Sequence, residues 1–203
     1  PYARSHPMSR DRVNAYRNGA RNSPYNDVRD PDTLVFRHKM AQAKIDGFLD
    51  SPATTVRRYR TDNSRPGRYA RSVAYFRQGL RNEALAELDS LIAEMPNNPW
   101  LHELKGQVYF ETGLAPLGIA PYQKAVALRP NEPLLMIGLA SCLLSKGAEG
   151  GTANRAVNRQ AIDHLRAALR LDPLNGAAYL QMSKGYGQLG ETAMAQWALA
   201  EYY

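Results

Sequence analysis

Laid against itself at an offset of 34 residues, the chain matches its own sequence: Tyr75-Phe76 falls on Tyr109-Phe110, Gly79 on Gly113 and then Gly147, Ala93 on Ala127, and Met95-Pro96 on Arg129-Pro130. A unit this short cannot bury its apolar side alone, so it must stack on its neighbours and build an elongated core. The period stretches once. After Gly147 the next in-phase glycine is Gly190, and after Pro130 the next in-phase proline is Pro173, each 43 residues on, which gives the third unit a nine-residue insertion.

Within a unit the apolar spacing is helical. Tyr69, Val73 and Phe76 form one stripe and Ala84, Leu88 and Leu91 a second, with Gly79 at the turn between them. Small residues mark the close crossings: Gly106, Ala140 and Ser183 in first helices, and Ala84, Ala161 and Ala195 in second helices. Pro96, Pro130 and Pro173 stop the second helices, and Pro96-Asn97-Asn98-Pro99 and Pro130-Asn131-Glu132-Pro133 read as tight turns between units. This pattern resembles the tetratricopeptide repeat (TPR) over roughly two thirds of the chain. The resemblance implies an all-α fold, a helix-pair solenoid that binds proteins, with about four repeats at 65–98, 99–132, 133–175 and an incomplete 176–203. Two departures stand out. Gly118 replaces the usual Ala of its repeat while Pro116 and Pro121 flank the helix, and Pro121 is expected to kink or delay it. The insertion from Ala148 to Arg155 is rich in small polar residues and is expected to be a mobile loop before a late-starting helix.

Residues 1–64 do not repeat. Ser9 can cap a helix through Val13 and Tyr16, and Asp30-Pro31 opens a second that shows Leu34, His38, Ala41, Ile45, Phe48 and Leu49 on one face and ends near Ser51-Pro52. Two amphipathic helices of this kind need a partner surface, and the repeats are the expected one. Val56 to Arg65 reads as a basic linker. Of the net charge of +7, residues 1–80 carry 16 Lys and Arg against 7 Asp and Glu, so the head is basic and the body nearly neutral. No RNP-type or glycine-rich nucleic-acid motif accompanies that charge, and no nucleic acid is the expected partner.

The stretch Ser5-His6-Pro7-Met8-Ser9-Arg10-Asp11-Arg12-Val13 is similar to the (S/T)-H-P-x-x-x-x-R-(I/V) motif that follows the catalytic core in zinc metallopeptidases of the HtpX and CAAX-prenyl-protease family. The order of His-Pro motif, two helices, Pro52-Ala53-Thr54 and TPRs resembles the BepA-like (YfgC-like) periplasmic branch, of alphaproteobacterial type. That resemblance implies a parent that is a zinc-dependent metalloendopeptidase of outer-membrane protein quality control. This chain is then its C-terminal part, with the protease core before Pro1 and periplasmic localisation. It also implies that His6 approaches the parent's active site and that Arg12 packs on its catalytic domain. The alternative is a free-standing TPR scaffold without enzymatic activity.

The chain itself lacks the equipment for that chemistry. Such enzymes need His-Glu-x-x-His on one helix, with a Glu on a later one. Here only His102-Glu103-Leu104-Lys105-Gly106 comes near, with Gly106 in the place of the second ligand, and the pair reads as an exposed salt-bridging one. His38 and His164 have no ligand at i+4, so no metal site and no cofactor is expected in this chain. Cys142, the single cysteine, lies in an apolar run and reads as core. No segment approaches the length of apolar sequence that a membrane helix needs.

TPR first helices turn positions 2, 5, 9, 12 and 13 toward their groove. In this sequence those positions make an apolar and aromatic stripe of Tyr69, Phe76, Trp100, Phe110, Leu134, Ile137 and Leu144. It is expected either to be covered by the head helices or the protease core, or to receive an apolar segment of a protein partner. Tyr69 and Val73 stand where a carboxylate clamp needs Lys and Asn, so a clamp for an acidic C-terminus is not expected there. Beyond the fourth repeat the chain is expected to continue, or Trp197, Leu199, Tyr202 and Tyr203 to be covered by another copy in a homo-oligomer.

Overall fold

The computed structural model describes residues 9–148 and 152–203. The described residues form eleven helices and no strand. They are α1 (Ser9–Arg21), α2 (Asp32–Leu49), α3 (Pro52–Arg58), α4 (Arg65–Arg77), α5 (Arg81–Glu94), α6 (Pro99–Glu111), α7 (Ala115–Leu128), α8 (Pro133–Gly147), α9 (Thr152–Leu171), α10 (Gly176–Leu189) and α11 (Thr192–Tyr202). The chain divides into two compact units, Pro1–Lys39 and Met40–Tyr203. Residues 40–64, grouped with the head by sequence pattern, thus share one unit with the repeats.

In that larger unit α4–α5, α6–α7, α8–α9 and α10–α11 are the four expected pairs. Each begins from local chemistry. Ser64, Asn98 and Asn175 accept hydrogen bonds from the amides of Gly67, Trp100 and Ala178, and Pro66, Pro99 and Pro133 sit in first turns, where a missing N–H costs nothing. Three first helices end alike. Gly79, Gly113 and Gly190 take φ of 76°, 80° and 78°, and the amides of Leu80, Leu114 and Glu191 reach back to the carbonyls of Tyr75, Tyr109 and Tyr186 at 2.8–2.9 Å. This left-handed closure needs glycine, since a Cβ is strained at that φ.

The apolar faces merge into two cores. One centres on Tyr69, Val73, Leu88, Leu91, Leu101 and Leu104, and the other on Tyr122, Leu139, Cys142, Leu165, Met182 and Tyr186. Cys142 is fully buried, as its apolar run implies. Tyr122 joins the second and third repeats: a Cβ on either Gly106 or Gly138 would collide with its ring. Gly118 is equally constrained, because a Cβ there would meet the Cys142 sulfur and the Gly106 carbonyl, each at 2.9 Å.

Two expectations about the helices are adjusted. Of the kink or delay expected from Pro121, the delay does not occur, since α7 starts at Ala115 and runs through it; the carbonyl that proline cannot bond belongs to Leu117, an exposed residue. The helix after the insertion starts at Thr152 and so takes in part of the segment expected to be loop, while 149–151 lie outside the described residues.

The segment before the first repeat differs more. The stretch read as linker from Val56 starts inside a short helix, α3 (Pro52–Arg58), begun by Ser51, whose hydroxyl accepts from the Thr54 amide at 3.3 Å. In the part of α2 that belongs to the larger unit, Ala43 and Gly47 are buried while Ile45 and Leu49 remain 57% and 78% exposed, with Phe48 only partly covered. Of the face expected to pack on the repeats, Ile45 and Leu49 therefore point away, while Phe48 lies against the first core. The cause is the closeness of the crossing: a Cβ on Gly47 would come within 2.8 Å of the Val73 Cβ, so only small side chains fit the contact.

Candidate partner-binding groove

The expected groove of the first repeat is occupied by the chain's own α2. Tyr69, Val73 and Phe76, at positions 5, 9 and 12 of α4, are buried in one core with Ala43, and Met40, Phe48 and Tyr59 pack against it. Arg77 at position 13 donates to the carbonyls of Gly47 and Asp50 at 2.8 and 2.6 Å. A guanidinium on the last carbonyls of α2 both satisfies them and complements the negative end of the helix.

A second latch lies beside it. Arg71, nearly buried, donates to the carbonyls of Tyr59 and Asp62 at 2.7 and 2.5 Å and to Glu87 at 2.7 Å. Asp46 accepts from the Tyr59 hydroxyl at 2.6 Å and pairs with Arg58 at 2.9 Å, and its carbonyl takes the Thr55 hydroxyl at 2.8 Å. Burial, then the bond to Asp46, pushes the Tyr59 phenol up to about 12. Arg65 and Arg68 both meet Glu94 and hold its carboxyl below the usual range. Arg58, Arg65, Arg68, Arg71 and Arg77 are thus engaged by groups of the chain itself and hold α2, α3 and α4 in place.

The rest of the stripe divides. Ile137 and Leu144 are buried in the second core, while Phe110 is 37% and Leu134 63% exposed. Trp100 is half-buried with the Lys44 ammonium 6.0 Å from its ring centroid. Glu103, one turn on, is raised above the usual carboxylate range by burial, which Lys44 partly offsets. An apolar surface open to a partner therefore begins at the second repeat, where α2 no longer covers the first helices. Sequence pattern placed these residues, and Arg77 at position 13, correctly on first helices but missed Lys44 and the hold of Arg77 on α2, both of which depend on where α2 crosses.

His102 and Glu103 are not an exposed ion pair. His102 is buried with Nε2 at 2.8 Å from the Pro96 carbonyl, and Gly106, in the place of a second ligand, faces the Tyr122 ring. Among the described residues no three His, Cys, Asp or Glu side chains converge as metal ligands, so these residues do not fit a zinc ion. Arg12 lies exposed on α1, and His6 falls outside the described residues.

No protein-family model and no curated protein sequence matches the chain. Solved structures do. MamA of MSR-1 superposes with a TM-score of 0.61 at 19% identity, over 85% of this chain and 95% of that one. A double mutant of MamA of RS-1 gives 0.64 at 16%, over 85% and 93%. TTC0263, a thermophilic TPR protein of Thermus thermophilus, gives 0.60 at 19%, over 68% and 73%. At these identities the likeness is one of fold, and with the repeat geometry above it makes the chain an all-α solenoid of TPR helix pairs.

Proposed function

We propose that this chain is the protein-interaction module of a zinc-dependent metalloendopeptidase, recruiting substrates or partners in outer-membrane protein quality control in the periplasm. The observation that carries the reading is the way the segment between the His-Pro motif and the repeats is built in. Residues 40–62 are fastened to the first repeat by Arg71 and Arg77. A strap of that kind couples whatever precedes it to the solenoid, as a module that presents clients to a catalytic domain requires. Partners then meet the groove from the second repeat onward, through Trp100, Phe110 and Leu134. His6 and Arg12 belong to the side facing the catalytic domain, and zinc would be held by that domain.

A free-standing scaffold is the second reading. The reading frame upstream of the Pro1 codon separates the two. A His-Glu-x-x-His helix in frame, together with chelator-sensitive casein hydrolysis by the full product, supports the protease module. An in-frame stop with no such helix leaves the scaffold. Binding by the groove is tested apart from this: Phe110→Ser with Leu134→Ser should abolish capture of unfolded outer-membrane protein while leaving the melting temperature unchanged.

A further inference from the structure

On the other side of the solenoid, α9 shows Arg155, Arg159, Arg166 and Arg170 at spacings of 4, 7 and 4, which places all four on one face. The first two are spent: Arg155 reaches the Leu189 carbonyl at 3.3 Å and Arg159 pairs with Glu191 at 3.2 Å. The second two border a cleft of about 400 Å³ between α9, α10 and α11. Its apolar wall comprises Tyr179, Met182 and Tyr186 of α10 and Met194 and Trp197 of α11. At about 100° per residue, Tyr179, Met182 and Tyr186 lie roughly 130° around α10 from its groove positions Leu180, Lys184 and Gly187. The cleft is thus distinct from the groove.

Its walls are pre-set. Tyr186 Oη accepts from Arg166 Nη2 at 3.0 Å and fixes that fork, while the Trp197 ring is held edge-on to Tyr179 with centroids 6.0 Å apart. Among the described residues Arg166 forms an ion pair only with Asp163, at 3.7 Å and well exposed, and no partner holds Arg170. Two cations beside an aromatic and thioether wall match one kind of occupant: a carboxylate with a large apolar group next to it.

We propose that this cleft is a second docking site, which takes an acidic segment of a protein partner with an aromatic or large aliphatic residue beside the acid. A nucleic-acid strand fits less well, because the neighbouring cleft of about 240 Å³ along α9 carries Asp163 and Glu191, and a continuous phosphate chain would run into both. The site is independent of the protease reading.

The test uses the full chain and a fluorescein-labelled peptide alternating glutamate with phenylalanine, a second peptide with alanine for each phenylalanine, and a labelled oligo-dT of matching charge. Fluorescence anisotropy should show saturable binding of the first peptide, weakened about tenfold or more in the Arg166→Gln, Arg170→Gln double variant. Trp197→Leu should weaken it as well, and the alanine peptide should bind correspondingly less. Phe110→Ser, in the groove, should leave the affinity unchanged. The proposal is overturned if the peptide does not bind, if it binds the double variant as well as the parent chain, if Phe110→Ser removes the binding, or if oligo-dT binds more tightly and loses its affinity with the same two arginines.

Discussion

Replacing Arg71 by methionine keeps the start of the aliphatic stem and removes the guanidinium, so it probes the latch while emptying less space than alanine would. Three acceptors lose their donor: the carbonyls of Tyr59 and Asp62 and the Glu87 carboxylate. The Arg71 and Glu87 side chains are only 8% and 19% exposed, so solvent replaces little of what is lost. Breaking one side of a buried, hydrogen-bonded ion pair costs about 3–5 kcal/mol. In a chain of this size each kcal/mol moves the midpoint by about 2–4 °C, which gives a fall of about 10 °C. A solenoid need not melt in one step, so circular dichroism should be paired with hydrogen exchange. The amides of residues 52–62 should lose protection before those of α8 to α10. Glu87→Gln, which keeps both carbonyl contacts, should cost less, about 1–2 kcal/mol. A midpoint for Arg71→Met within about 1 °C of the parent, with exchange at residues 52–62 unaltered, would show that the strap is not held this way.

Gly47→Ala should destabilise by about 1–3 kcal/mol, since its Cβ meets Val73, even though alanine is the better helix former; a higher urea midpoint would refute the close crossing. Glu103→Gln should stabilise at neutral pH. The folded carboxyl titrates above its ordinary 4.5, so its unfavourable charge is present at pH 7 and vanishes as pH falls below that value; urea midpoints of variant and parent should converge there, and equal midpoints at pH 7 would contradict the assignment. Cys142, with its thiol pushed by burial up to about 12, should resist iodoacetamide in the native protein and react in urea; rapid native labelling would mean that the second core opens.

Sequence pattern reaches furthest where one residue type is compulsory. Gly79, Gly113 and Gly190 reveal the turns because only glycine suits that backbone, and Pro96, Pro130 and Pro173 reveal the helix ends because proline cannot continue them. It fails where long-range contacts decide. Pro52-Ala53-Thr54-Thr55-Val56 has two β-branched threonines followed by valine and poor helix propensity, yet it is helical because Ser51 caps it and Asp46 takes Thr55 through its carbonyl and Tyr59 and Arg58 through its carboxylate. Amphipathicity selected Ile45 and Leu49 as the packed face of α2 because it weighs side-chain size, whereas the contact is made through Ala43 and Gly47. The Ala-x-x-x-Gly spacing was the available signal. On α9 the arginines at 155, 159, 166 and 170 were equally visible, but which of them stay unspent depends on Leu189 and Glu191 from the following pair.

The ring of Tyr122 occupies room that two side chains have given up. Gly106 and Gly138 come from neighbouring repeats, and neither can acquire even a methyl group while the tyrosine is present. These three positions are consequently coupled by space. A chain that lost the ring would be released to take alanine at both glycines and would gain helix propensity as it did so, whereas either alanine arriving first would meet the phenol. The order of substitution that avoids the clash is therefore the aromatic first and the glycines after it.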